Sequence, residues 1–245
     1  MGFTNSPLVT YTNITNNKTK NRNHVIDTIT IHCIVGQWTA KQGCDYFATT
    51  NRKCSANYVV GKDGSIGLSV EEKDRSWCSS NAPNDHRAVT IEAASDTKAP
   101  YAVTDAAYNA LIQLIADICK RNDIKQLLWK GDSSLIGQVD KQNMTVHKWF
   151  AKKDCPGEYL YSRHGDIASK VNAILNANFA PTRALKVGST VRLKKGAKTF
   201  QGGNLASFVY ERDHQVKQIN VDRVVITYNG IVVAAVRKSD LTVIN

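Results

Sequence analysis

The 245-residue sequence predicts an α/β fold of the α+β kind, in which a mixed central β-sheet is flanked by helices and followed by a small β-barrel domain. Three observations carry this expectation. Through residue 178 the patterns run strand, helix, hairpin, strand, helix, strand, helix. The clearest helical stretch, "DAAYNALIQLIADICKRND", repeats apolar residues at Ala107, Leu111, Leu114, Ile115 and Ile118, a single stripe that must be buried against another layer. From Val187 the texture changes to short β runs punctuated by glycine, and several strands in ~60 residues suit a small barrel. The expected domains are therefore residues 1–178 and 187–245, joined by a linker at 179–186 that contains Pro181.

Each element has a local reason. "VIDTITIHCIVG" alternates apolar and polar positions as a strand does, and His32 is expected at its end. Thr39 is placed to cap "AKQGCDYFATTN", where Ala40, Cys44, Phe47 and Ala48 recur at helical spacing. "ANYVVGKDGSIGLSV" reads as two strands around Lys62-Asp63-Gly64, with Tyr58 on the first arm and Gly64 supplying the positive φ of the turn. "RAVTIEAAS" is a further strand, with Val89, Ile91 and Ala93 on one face and Thr90, Glu92 and Ala94 on the other. Thr104 caps the long helix, "LLWKG" is the next expected strand, and "GDIASKVNAILNANF" is the last amphipathic helix. In the second domain the strands fall in "STVRLKKGA", "FVYERDHQVKQI", "DRVVITYNGIVVAAV" and "LTVI", separated by Gly196, Gly202-Gly203 and Asn229-Gly230.

Composition narrows the function classes. No run of about 18 apolar residues is present, so no membrane insertion is expected. "MGFTNSPLVTYTNITNNKTKNRNH" lacks the cationic start and apolar core of a secretory signal, so the chain is expected to stay in the cytoplasm. Cysteines 33, 44, 54, 78, 119 and 155 are scattered, so reduced thiols are expected, and Cys44 with Cys54 is the pair to test. The net charge of +11 favours a polyanionic partner, and residues 185–245 hold ten Lys and Arg against four Asp and Glu. Without an arginine-rich run or an aromatic–basic signature, no nucleic acid is expected.

Chemistry concentrates in "TVHKWFAKKDCPG", where His147 and Cys155 stand eight positions apart. With His32 they offer the three protein ligands of a catalytic zinc ion. A thiolate nucleophile with a histidine base, or a buried thiol beside a surface histidine, fits the spacing too. Cys33 follows His32 directly on a strand, so those two side chains point to opposite faces and do not easily pair.

"ITIHCIVG", "SANYVVGKDGSI", "AVTIEAA" and "MTVHKWFAKKDCPGEYL", in this order, resemble the zinc-dependent N-acetylmuramoyl-L-alanine amidases, the family that includes phage lysozyme-type amidases and peptidoglycan-recognition proteins. The resemblance covers residues 25–175. It implies one Zn²⁺ ion on His32, His147 and Cys155, with Lys153 stabilising the oxyanion of amide hydrolysis and Lys148 and Lys152 facing solvent. The family divides between a tyrosine, here Tyr58, and a glutamate, here Glu92, for proton transfer. Glu92 is favoured as general base because a carboxylate accepts a proton near pH 7, whereas tyrosine, with a pKa of about 10, is mostly a donor. Tyr58 would then orient water or hydrogen-bond the intermediate. Trp77 and Asn84 match a region that lines the substrate groove, while His86 and His164 match no ligand position. Residues 185–245 are similar to the bacterial SH3-like modules of phage endolysins, which implies Gram-positive peptidoglycan and teichoic acids as partners. Together these resemblances imply an endolysin that cuts between N-acetylmuramic acid and L-alanine, held in the host cytoplasm until it is released to the wall. A non-hydrolytic recognition protein and a bacterial autolysin are the alternatives, and the oligomeric state is open.

Overall fold

The structure is a computed structural model that describes residues 2–179 and 185–244. It divides into two compact units, Met1–Ala177 and Asn178–Asn245. The linker expected at 179–186 falls mostly on residues 180–184, outside the described residues.

In chain order the first unit contains β1 (Tyr11–Thr12), β2 (Lys18–Thr19), β3 (Thr28–Val35), α1 (Ala40–Thr49), β4 (Tyr58–Val60), β5 (Ile66–Leu68) and β6 (Arg75–Ser76). α2 (Ala82–Arg87), β7 (Ala88–Ser95), α3 (Asp105–Arg121), β8 (Met144–Val146), α4 (Gly157–Tyr161) and α5 (His164–Phe179) follow. Six strands form a mixed sheet in the order β1-β5-β4-β7-β3-β8. Its pairs are parallel except for the β4–β5 hairpin. β2 and β6 form a separate antiparallel ribbon.

Strand alternation sorts this sheet into two faces. Ile29 and Ile31 of β3, Tyr58 of β4 and Ile91 of β7 join Leu111 and Ile115 of α3 and Ile167 and Leu175 of α5 in one buried core. On the other face Ile34 and Val59 pack with Cys44 and Phe47 of α1. The residues between them on β3 and β7, Thr30, His32, Thr90 and Glu92, therefore lie on the α1 side. A mixed central sheet flanked by helices is the fold class the sequence predicts.

The local signals behave as their chemistry requires. Thr39 accepts from Gln42 N while the Gln42 side chain accepts from Thr39 N, a closed capping box for α1. Thr104 accepts from Ala107 N at the start of α3. Gly64 turns the β4–β5 hairpin at φ +81°. "LLWKG" is not a strand. Leu127 N and Leu128 N donate to the side-chain carbonyls of Asn172 and Asn143, so amide side chains replace a ladder there. The sixth strand is instead β8, three buried residues paired to β3 through Ile29↔Met144 and Ile31↔Val146.

The second unit contains β9 (Thr190–Leu193), α6 (Phe208–Glu211), β10 (Asp213–Asn220), β11 (Arg223–Tyr228), β12 (Ile231–Arg237) and β13 (Leu241–Val243). Its five strands are antiparallel in the order β12-β11-β10-β9-β13. Val191, Leu193, Val216, Val224, Ile226 and Val236 make its core. Asn229 and Gly230, at φ 49° and 79°, form the two-residue turn between β11 and β12, where both positions need positive φ. Phe208–Glu211 is a short helix rather than the start of a strand. Tyr210 packs on the core and donates its hydroxyl to Ala197 O, while Phe208 stays 47% exposed. Among the described residues no helix is long and apolar enough to cross a membrane.

Candidate metal centre

β3 and β7 run parallel with His32 directly opposite Glu92, so both side chains leave the sheet side by side on the α1 face. β8, on the other flank of β3, ends at Val146 and delivers His147 to the same edge. The loop after His147 returns through Lys148 N, which donates to Cys155 O at 3.0 Å, and this closure brings the Cys155 thiol back beside His32. Gly157 makes the return possible. At φ +80° it passes so close to Tyr101 that a Cβ would lie 2.8 Å from that residue's Cβ.

The ligand atoms of His32, His147 and Cys155 consequently lie within 4.8 Å of one another. Cys155 Sγ is 3.3 Å from His32 Nδ1, and the two imidazole centroids are 5.1 Å apart. A tetrahedral zinc ion, with Zn–S of ~2.3 Å and Zn–N of ~2.05 Å, separates sulfur from nitrogen by about 3.6 Å. His32 is fully buried, and its Nε2 has no hydrogen-bond partner. His147 Nε2 is 3.0 Å from Ser80 Oγ, which fixes the ring and leaves the other nitrogen for the cluster. Two imidazoles and a thiol form a borderline-soft donor set, and the residues fit zinc.

The electrostatics hold the donors ready. Burial, with His147 beside it, keeps His32 well below the ordinary histidine pKa. Burial and the Lys153 ammonium lower His147, so both rings are neutral and offer lone pairs. The neighbouring Cys33 thiol and burial push the Cys155 thiol well above its usual range. A coordinated cation reverses that direction, because it stabilises the thiolate outright. Glu92 is half-buried on the central strand β7, and burial raises its carboxyl to about 7. Its Oε2 has no hydrogen-bond partner.

An open cavity of about 330 Å³ adjoins the cluster. Glu92, His147, Trp77 and Cys78 line it, as do Trp38, Tyr46 and Arg52, whose presence there no sequence pattern signalled. The Trp77 indole donates to Thr19 Oγ1, which holds its ring in the wall. Lys153 is exposed on the His147–Cys155 loop, close enough to influence His147. Lys152 is exposed too, whereas Lys148 covers the Tyr161 ring at 3.0 Å from its centroid.

Two expected site residues are not brought to the cluster. Tyr58 pairs with Ile91, not Glu92, and so points to the α3 face, opposite His32. There its buried hydroxyl donates to Glu72 Oε1 at 2.6 Å and accepts from Ser6 N at 2.9 Å. Asn84 is 5% exposed, and its amide is used internally: it donates to Thr30 Oγ1 and Ser79 Oγ and accepts from Thr145 Oγ1. This side chain ties α2 to β3 and β8 instead of facing the cavity. Asn84→Ala is expected to lower stability by about 2–3 kcal/mol in denaturant unfolding, because it leaves buried hydroxyls without partners. His164 is buried with Nδ1 on Leu160 O, and His86 accepts from Asn23 N, so neither joins the cluster. All six cysteines are unbonded.

A family model described as N-acetylmuramoyl-L-alanine amidase matches residues 21–158. The solved structure of PlyL is similar at 15% identity and a TM-score of 0.50, over 70% of this chain and 97% of PlyL. A selenomethionine derivative of AmpD is similar at 18% identity and a TM-score of 0.51, over 69% of this chain and 99% of AmpD. At these identities the likeness is one of fold. No curated protein sequence matches the chain.

Proposed function

The chain belongs to the N-acetylmuramoyl-L-alanine amidase family, and on that premise we propose that it hydrolyses the amide between N-acetylmuramic acid and L-alanine in peptidoglycan, with one zinc ion on His32, His147 and Cys155. The observation that carries this is the gathering of those three donors within 4.8 Å, with Glu92 in register beside His32. A zinc ion in that set supplies positive charge that polarises the scissile carbonyl and makes water at the site more acidic.

The chain's own groups do the rest. The Glu92 carboxylate accepts the proton of the attacking water and passes it to the leaving amine. Burial suits it to the task, since a group near 7 both takes and returns a proton at neutral pH. Lys153, exposed on the His147–Cys155 loop and near enough to act on His147, is the ammonium that would stabilise the oxygen on which charge develops. Trp77 forms a wall of the cavity against which a sugar ring or stem peptide rests. Ser80 keeps His147 in one orientation, so the donors need little rearrangement during turnover. A complete donor set beside a base favours hydrolysis over recognition alone.

The second unit acts as the wall anchor, an SH3-like module whose excess of Lys and Arg favours peptidoglycan bearing teichoic acids. The whole is an endolysin that a phage stores in the host cytoplasm and releases to the wall.

The test is digestion of purified Gram-positive walls, scored for new N-terminal L-alanine and for new reducing ends. New alanine amines that vanish with chelator and return with Zn²⁺ are the expected result. Reducing ends without alanine amines would make the protein a glycosidase and reject the assignment. Tyr58→Phe separates the two proton-transfer candidates. It is expected to cost about 1–2 kcal/mol of stability through the lost Glu72 and Ser6 contacts, with amine release kept within about twofold of the parent.

A further inference from the structure

Cys78 has no part in the reaction above, yet its position is tightly built. Its backbone N–H donates to Asp85 Oδ2 at 3.0 Å, and the next N–H, of Ser79, donates to the same buried carboxylate. On the other side Trp77 N donates to Ser55 Oγ and Ser55 N to Trp77 O, both at 2.9 Å. These bonds set the Cys78 thiol in the cavity wall, where Sγ lies 3.9 Å from Glu92 Oε1. The ligand atoms of His32, Cys78 and Glu92 fall within 4.8 Å of one another, a second donor set that shares only His32 with the first.

Two of these residues carry buried polar atoms with no hydrogen-bond partner, Glu92 Oε2 and His32 Nε2. Imidazole has two nitrogens, and Nδ1 is the one beside Cys155. Nε2 is thus the nitrogen left for another cation. A sulfur and an oxygen on one tetrahedral zinc ion stand about 3.6 Å apart, and the Cys78–Glu92 separation needs only a small side-chain rotation to reach it.

We propose that Cys78, Glu92 and His32 form a second, weaker site for a thiophilic divalent cation such as Zn²⁺ or Cd²⁺, and that its occupancy inhibits the enzyme. Binding forms a metal–thiolate bond at Cys78 and a metal–carboxylate bond at Glu92, and the protons displaced from the thiol and the imidazole leave to solvent. A coordinated Glu92 no longer accepts a proton from water, so the reaction loses its base. The inhibition rests on the assignment of Glu92 as base and of His32, His147 and Cys155 as the tight site. The weak equivalent that disappears in C78S does not.

The experiment uses the full-length protein, reduced with a phosphine under inert gas, and compares the parent with C78S, C78A, C155S and the C78S/C155S double variant. Cd²⁺ is titrated while the thiolate-to-cadmium absorption is followed, and bound metal is counted by equilibrium dialysis. Circular dichroism confirms that each variant is folded. The parent is expected to take a tight equivalent and then a weaker second one in excess metal. C78S and C78A keep only the tight one, C155S keeps only the weak one, and the double variant keeps neither. In excess Zn²⁺ alanine amine release by the parent falls about a hundredfold, the loss expected when a general base is withdrawn, and this response disappears in C78S. A parent that binds a single equivalent, or a C78S protein that still binds two, overturns the proposal. Loss of the tight equivalent in C78S, or lysis retained by C155S, would instead reject the metal centre assigned above.

Discussion

Cys155→Ser is expected to abolish both the zinc that survives dialysis and the lysis of walls, with alanine release falling on the order of a thousandfold or more. Cys155 is the only donor of the three that becomes an anion on coordination. Serine in its place presents a neutral, harder oxygen that does not compete with water for zinc at neutral pH. The two rings that remain are both neutral, since burial lowers each of them, so nothing offsets the charge of the cation. The measurement pairs metal content after dialysis with amine release, and circular dichroism separates a lost ion from a lost fold. A Cys155→Ser protein that keeps the tight zinc would show that the thiol is not a ligand.

Glu92→Gln has the opposite signature. The amide keeps the shape of the side chain but cannot take a proton, so turnover should fall by about 10²–10⁴-fold while the tight ion stays. Stability is expected to hold or rise, because burial opposes the charged carboxylate and the amide has no charge to desolvate. Amine release, metal content and thermal unfolding on one preparation distinguish these effects. If Glu92→Gln retained near-full activity, the base would lie elsewhere.

Much of this site was legible before any coordinates, because strands encode their faces by parity. Glu92 in the middle of its strand read correctly, whereas His32, expected at a strand end, is the fifth of the eight residues of β3, and Thr39, Gly64 and Thr104 marked element ends by their own hydrogen bonds or φ. Tyr58 shows where parity alone runs out. Its strand is three buried residues with no polar alternation to reveal which face is which, and only the register against Ile91 decides it. β8 was hidden for a related reason: Met144–Val146 is too short to show a period, while "LLWKG" is apolar enough to imitate a strand. Asn84 depends on Thr30 and Thr145, partners remote in sequence, and no spacing rule anticipates such contacts. In the second unit Asn229-Gly230 announced its hairpin through turn chemistry, whereas the helix at Phe208–Glu211 lay inside a run of strand-like composition.

The position of β3 between β7 and β8 has a kinetic consequence. Thr30 on β3 bonds Thr145 across 115 residues of chain, and Cys155 meets His32 across 123. Contacts of such separation close late, since the entropy of the intervening loop must be lost before they contribute. A chain still emerging from the ribosome can pair β3 with β7 but has no Cys155 to complete the donor set. The His32, His147 and Cys155 cluster is therefore expected among the last features of its domain to form, and a chain that stops before residue 155 lacks both its third donor and the α5 side chains of the core.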